Sequence, residues 1–448
     1  MSAPVTSAPS PAAQPPTGAP DARLIRAIGT IGLAASIVNV TIGGGIFRLP
    51  ASPDVSGRLG AAAPLAYLIC AVAMGLIVIC IAEAGSRVSL TGGPYAYVEV
   101  AFGRFAGFIV GVLLWLTGTM AFAAVSTIFV DNVVRFVPAL SGAGGRFLLL
   151  AAVLGILAWV NIRGVRQGTR LNAISAGIKL VPLVLLILFG VFAIEPENVS
   201  WPGTPTAGDL SRASIFLIFA FAGIESALMP SGEVRDPART VPRAVFLAMG
   251  LVTIFYILLH LVAQGTLGPK LVGTPTPLAD AARVAMGPWG AWLLSVGVVL
   301  STFGYLSGMT LAVPRALFAF ARDGFLPRRL AAVHAQYHTP YLAVVTQVTL
   351  VVLLAATSTF EFLAIIANVA VLLVYLGCAF AAWQLRRRGE RTSGTPFKVP
   401  GGAIAPVLAT GVIVALLSSI TLREWSVLGI VIAAAVLIYV INRRVMEG

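Results

Sequence analysis

Charged side chains are scarce in this chain. Asp, Glu, Lys and Arg fill 10% of its 448 positions, where a soluble domain carries about 25%, and the mean hydropathy is +0.94. So little polar surface excludes a water-soluble fold of this length. Cysteine is nearly absent: Cys70, Cys80 and Cys378 lie inside apolar runs with neither CxxC nor metal-type spacing, which argues for packing and against a redox or metal role. No Ser/His/Asp set, metal-ligand cluster or phosphate loop is found, so no catalytic residue, metal or cofactor is expected. The loops between apolar runs are too short for a soluble enzyme domain. The first 22 residues have no basic start followed by an apolar core, which excludes a signal peptide. Their Pro-, Ala- and Ser-rich composition reads as a disordered tail.

What the chain has in abundance is apolar runs of membrane-spanning length, since about 20 residues cross a bilayer as a helix. Crossings are expected near 24–50, 61–84, 98–130, 146–162, 172–194, 211–232, 243–266, 290–320, 341–357, 361–385, 403–421 and 425–442. The fold class is therefore an all-α polytopic membrane protein of about twelve helices. The charges orient it. With both termini cytoplasmic, 21 of the 30 Lys and Arg residues fall on the inward side, among them Arg163, Arg166, Arg328, Arg329 and Arg386 to Arg388. Eight fall outside, including Arg48, Arg58 and Arg146. That positive-inside bias explains the net charge of +13 without a nucleic-acid partner. The one exception is Lys179, well inside the fifth crossing. A lysine at that depth marks an ion or substrate pathway unless its stem snorkels to the headgroups.

Two helices are interrupted. Gly43-Gly44-Gly45 lies inside the first apolar run; each glycine costs a helix up to about 1 kcal/mol relative to Ala, so the triplet predicts a helix that stops and restarts. Non-helical backbone at membrane depth survives only against protein or a wet cavity, although small residues also serve close helix packing. The sixth run repeats the anomaly at Ala222-Gly223-Ile224, followed at once by Glu225. Breaks in the first and sixth of the crossings, with four intact ones between, are what a five-plus-five inverted repeat predicts. The two breaks then meet near the midplane, offering helix N-termini to an anion and free carbonyls to a cation. A zwitterion fits such a pair. Glu225 is a candidate proton carrier or cation ligand. His260 reads as an interhelical hydrogen bonder, His334 and His338 as solvated loop residues, and Glu83 and Glu99 as partners of nearby arginines.

These motifs carry a resemblance over nearly the whole chain from about residue 24. Ile42 to Phe47, Thr91-Gly92-Gly93-Pro94-Tyr95-Ala96-Tyr97, Phe219 to Ser226 running into Glu233 to Arg243, and Ala319 to Pro327 stand in the order found in the amino acid-polyamine-organocation superfamily of transporters, which the chain resembles. The resemblance implies a leucine-transporter-type five-plus-five core over 23–388, peripheral helices over 389–448, and movement of amino acids or related amines by alternating access. It implies a substrate carboxylate on the amides of Gly43, Gly44 and Gly45, and an amino group on carbonyls of Phe219, Ala222 and Ile224. Phe219 also becomes an occluding gate. Thr41, Gly223 and Met309 complete the substrate-binding set. Relatives often have Ser where Gly44 stands, so a hydroxyl contact is lost here and an amine substrate stays open. In proton-coupled relatives a lysine at the place of Lys179 faces the first and eighth helices and stands in for a sodium ion; Ser307 and Thr310 are its expected neighbours. The expectation is a proton-coupled amino-acid symporter of the inner (plasma) membrane, whose partners are substrate, protons and lipid. A substrate-product exchanger of the arginine/agmatine or putrescine kind is the rival, and a non-transporting nutrient sensor the remote alternative.

Overall fold

The computed structural model describes residues 29–88, 94–163, 169–201, 203–223, 237–322, 324–389, 397–399 and 401–446. The N-terminal tail, Ile224 and Glu225 lie outside the described residues, as does the side chain of Lys179. Among the described residues there is no strand. In hydrocarbon every backbone N–H and C=O needs an internal partner, and a helix supplies them all within one segment.

In chain order the helices are α1 (Thr30–Thr41), α2 (Ala63–Arg87), α3 (Pro94–Phe102), α4 (Arg104–Phe136), α5 (Ala143–Ile162), α6 (Thr169–Gly190) and α7 (Ala207–Phe221). They continue as α8 (Pro237–Leu267), α9 (Pro277–Ala312), α10 (Pro314–Arg322), α11 (Tyr341–Thr357), α12 (Phe360–Arg388), α13 (Ile404–Leu417) and α14 (Leu422–Met446). Each of the twelve apolar runs falls on a helix. Seven described helices are long and apolar enough to cross a membrane, and four more apolar ones are shorter.

Three boundaries differ from the hydropathy reading, each at a Gly or Pro. The third run is split at Gly103, whose φ of +90° ends α3 and starts α4; only glycine adopts that conformation without strain. The eighth begins earlier, at Pro277, kinks where Gly287 takes φ +74° before Pro288, and stops at Ala312. Pro314 then opens α10, since a proline lacks the N–H that would continue the ladder. The first run does not restart as an α-helix after its glycines. It goes on as 3-10 turns at Gly44–Phe47 and Leu49–Ala51 and a π-turn at Pro53–Gly57, because Pro50 and Pro53 remove donors that a restarted helix needs.

The packing has a repeating logic. α1 lies on α8 as α7 lies on α2; α4 lies on α12 as α9 lies on α6; α4 lies on α11 as α9 lies on α5. Counted by crossing, each pair maps onto its mate when the first five and the second five are exchanged. α12 is central, with 78% of its apolar window buried, whereas α14 buries 17% and belongs to the rim.

Candidate functional site

α1 ends because its next residues cannot hold a helix. The Ile42 amide still donates to Val38 O at 3.0 Å, but Ile42 has ψ 86° and Gly43 lies at φ −131°, ψ −149°. Gly44 and Gly45 open the following 3-10 turn, so their N–H groups precede its first intrahelical acceptor. Both are buried. α7 ends in the same way: the Ala222 amide donates to Ile218 O at 2.9 Å, Ala222 turns to ψ 148°, and Gly223 takes φ +105°.

The two breaks touch. A Cβ on Gly45 would lie 2.9 Å from Ala220 Cα and 3.1 Å from Phe219 Cδ1, so only glycine allows the α7 backbone this close. The hydroxyl of Tyr256, from α8, reaches both broken ends, lying 2.8 Å from Thr41 O and 2.8 Å from Ala220 O. These carbonyls sit in the last turns of α1 and α7, where acceptors lose their intrahelical donors. Tyr256 is fully buried and packs edge-on against Phe221 at 5.4 Å between ring centres. Thr41 is buried too, and its Oγ1 has no hydrogen-bond partner among the described residues. A Cβ on Gly44 would fall 2.5 Å from Val125 Cγ2 of α4; Val125 fills the room a serine side chain would take.

Just beyond the first break the chain is tied to neighbouring helices by ion pairs. Arg48 reaches Asp131 of α4 at 3.3 Å and Glu361 of α12 at 3.4 Å, and Arg146 also binds Asp131. Arg48 is 15% exposed and Asp131 11%. Beneath them Phe219 meets Phe360 edge to face at 5.7 Å. One arginine thus joins the chain beyond the first break to two other helices, over an aromatic pair.

The remaining expected residues separate. Ser307 and Thr310 are buried on α9, one turn apart, and Thr310 Oγ1 donates to Leu306 O at 2.7 Å. α9 packs along α6, the helix that carries Lys179. Met309 turns the other way: its Cε is 3.8 Å from a Cβ position on Gly118 of α4, and it lines a cavity of about 700 Å³ with Trp115, Phe108, Val313 and Phe320. Nothing described brings it to the helix breaks. Trp115 Nε1 donates to Gln347 at 2.9 Å, and Gln347 in turn donates to Thr119 at 3.0 Å.

Elsewhere the smaller expectations resolve. Glu83 is buried between Arg87, 3.0 Å away, and Arg386. Glu99 has no ion pair among the described residues; it lines the same cavity as Met309. His260 Nε2 lies 3.3 Å from Gly60 O. Cys70, Cys80 and Cys378 are buried and form no disulfide, and no group of metal-ligating side chains occurs among the described residues. Sequence reasoning missed Tyr256, Val125, Asp131 and Glu361. An arginine three residues past the glycine triplet was the available signal for an outer ion pair.

Comparison with known proteins places this geometry. The chain matches the family model described as Amino acid permease over residues 28–441. It is 27% identical to the methylthioribose transporter of Bacillus subtilis (strain 168), across 94% of each chain. It is 29% identical to the serine/threonine exchanger SteT of the same organism, across 87% of this chain and 90% of that one. It is 30% identical to the large neutral amino acids transporter small subunit 2 of Rattus norvegicus, across 78% of this chain and 68% of that one. These relatives are transporters, not enzymes. With its long apolar helices, the chain is a multi-pass membrane protein and belongs to the amino acid permease family of the amino acid-polyamine-organocation superfamily.

Proposed function

We propose that this protein is a secondary active transporter that carries amino acids across the plasma membrane by alternating access, in symport with protons. The observation that carries the reading is the junction of the two helix breaks under Tyr256. It gathers the amides of Gly44 and Gly45, which precede the first acceptor of their turn, and the helix-end carbonyls of α7 in one buried place, which suits a zwitterion. The substrate carboxylate lies on the amides of Gly43, Gly44 and Gly45. The amino group lies on carbonyls of Phe219, Ala222 and Ile224, between Thr41 and Gly223, with Phe219 as the lid. The exchange symmetry of the helix packing supports a five-plus-five inverted-repeat core over 23–388 with peripheral helices over 389–448.

Both termini face the cytoplasm, by the positive-inside bias. Arg48, Asp131 and Glu361 then sit at the outer mouth, and their pairing holds it shut. Lys179, carried by α6, which packs along α9, supplies the coupling proton, with Ser307 and Thr310 of α9 as its proposed neighbours and Glu225 as a second carrier. Release of the Lys179 proton is coupled to the inward-open state.

The test is uptake into proteoliposomes with an imposed pH gradient and no internal substrate. Accumulation under those conditions supports symport. The 29% identity to a serine/threonine exchanger favours obligatory exchange as the second reading; uptake that requires internal amino acid establishes it instead.

A further inference from the structure

The inner halves of α3, α4 and α12 enclose a groove that the transport reading does not use. It measures about 430 Å³ and is walled by Phe102, Phe105, Ile109, Leu373, Phe380 and Trp383, among others. Its rim is unusually open: Phe102, Phe105, Phe380 and Trp383 are 40% to 47% exposed. Gly377 forms part of its floor, and a Cβ there would meet Val98 and Val110 at ordinary contact distances of 3.4 and 3.5 Å. Glycine at 377 leaves that part of the floor without a side chain.

One end of the groove is charged. Trp383 stands one turn before the three arginines that close α12. Arg386 is committed to Glu83. Arg387 lies over the Trp383 ring, 5.0 Å from its centre. Arg388 donates to Val100 O of α3 at 3.4 Å, across the groove's end. Among the described residues neither Arg387 nor Arg388 has a carboxylate partner. A lipid-facing apolar slot with two guanidiniums that have no carboxylate partner among the described residues at its headgroup end is complementary to one kind of molecule.

We infer that this groove binds an anionic phospholipid, its acyl chain lying along Phe102, Ile109 and Leu373 and its phosphate held by Arg387 and Arg388. The walls supply the apolar burial; the arginines supply the choice of headgroup, since guanidinium pairs bidentately with phosphate oxygens.

Native mass spectrometry of the purified protein in mixed phosphatidylglycerol and phosphatidylcholine micelles tests this without any transport assay. The wild type is expected to retain phosphatidylglycerol over phosphatidylcholine by roughly thirtyfold, the size expected of two basic side chains at a membrane surface. Arg387→Gln/Arg388→Gln should abolish that preference while keeping some lipid. Gly377→Met should remove bound lipid of both kinds by filling the slot. If the double variant aggregates, Arg387→Gln alone should still lower the preference several-fold. A preference unchanged in the arginine variants, retention unchanged in Gly377→Met, or a lipid-free dimer seated on this face would each overturn the assignment. Competition by inorganic phosphate as strong as by the lipid would do so too.

Discussion

Removing one hydroxyl should uncouple the two helix breaks. Tyr256→Phe keeps the ring, its burial and its contacts with Phe221 and Tyr67, and deletes only the donor that lies 2.8 Å from Thr41 O and 2.8 Å from Ala220 O. One proton cannot fully satisfy two acceptors, so the loss is less than two hydrogen bonds. Leaving a buried acceptor without its donor costs about 1–3 kcal/mol, and that penalty falls on the state in which the breaks are joined. A coupling of that size is roughly 5- to 150-fold in an equilibrium. Initial uptake in proteoliposomes should fall by at least about fivefold, with a lowered unfolding temperature in detergent. Tyr67→Phe is the matched control. Tyr67 is equally buried, 6.2 Å from Tyr256 between ring centres, and its hydroxyl has no partner among the described residues. Its removal should leave stability unchanged or raised, because a buried polar group without a partner only loses hydration. If both variants behave alike, or Tyr256→Phe transports within twofold of wild type, the bridging role is refuted.

Other substitutions probe the same junction. Gly45→Ala places a Cβ 2.9 Å from the Ala220 backbone; an overpacking cost of about 1–3 kcal/mol is expected, read as lost uptake with membrane insertion intact. Gly44→Ser should be harmful because of Val125 at 2.5 Å, and Val125→Ala should rescue it; failure to rescue would mean that the clash is not the cause. Arg48→Gln deletes both outer ion pairs, at about 1.5–3 kcal/mol for a hydrogen bond to charge. A cysteine at Phe360→Cys should then react faster with an impermeant thiol reagent added outside. Lys179→Ala should abolish dependence on the proton gradient, and unchanged pH-driven accumulation would remove the lysine from the mechanism. Replacing sodium by choline should leave wild-type uptake unaltered.

Much of the architecture was legible because hydrocarbon is an unforgiving solvent. Apolar runs near 20 residues must become helices there, so runs such as 146–162 and 361–385 follow from composition alone. The two breaks were legible for the complementary reason: Gly43-Gly44-Gly45 and Ala222-Gly223 contradict the propensity of their surroundings. Boundaries were not. Gly103 and Pro314 divide runs that hydropathy treats as continuous, since a window average is blind to a single positive φ or a missing N–H.

Within the site, the sequence by itself determined where the backbone would be free of its own helix, because that depends on local residue type. Only the tertiary structure decided what lies across from those breaks. Tyr256 is 215 residues from Thr41 in the chain and resembles any other aromatic of an apolar helix until packing brings its hydroxyl to both carbonyls. The same holds for Val125 against Gly44, for Glu361 across from Arg48, and for Met309, which the kinked and offset α9 turns toward Gly118 and away from the breaks. Local chemistry is written residue by residue; the pairing of distant residues is set by which helix faces lie together, and in this chain nearly every face is apolar.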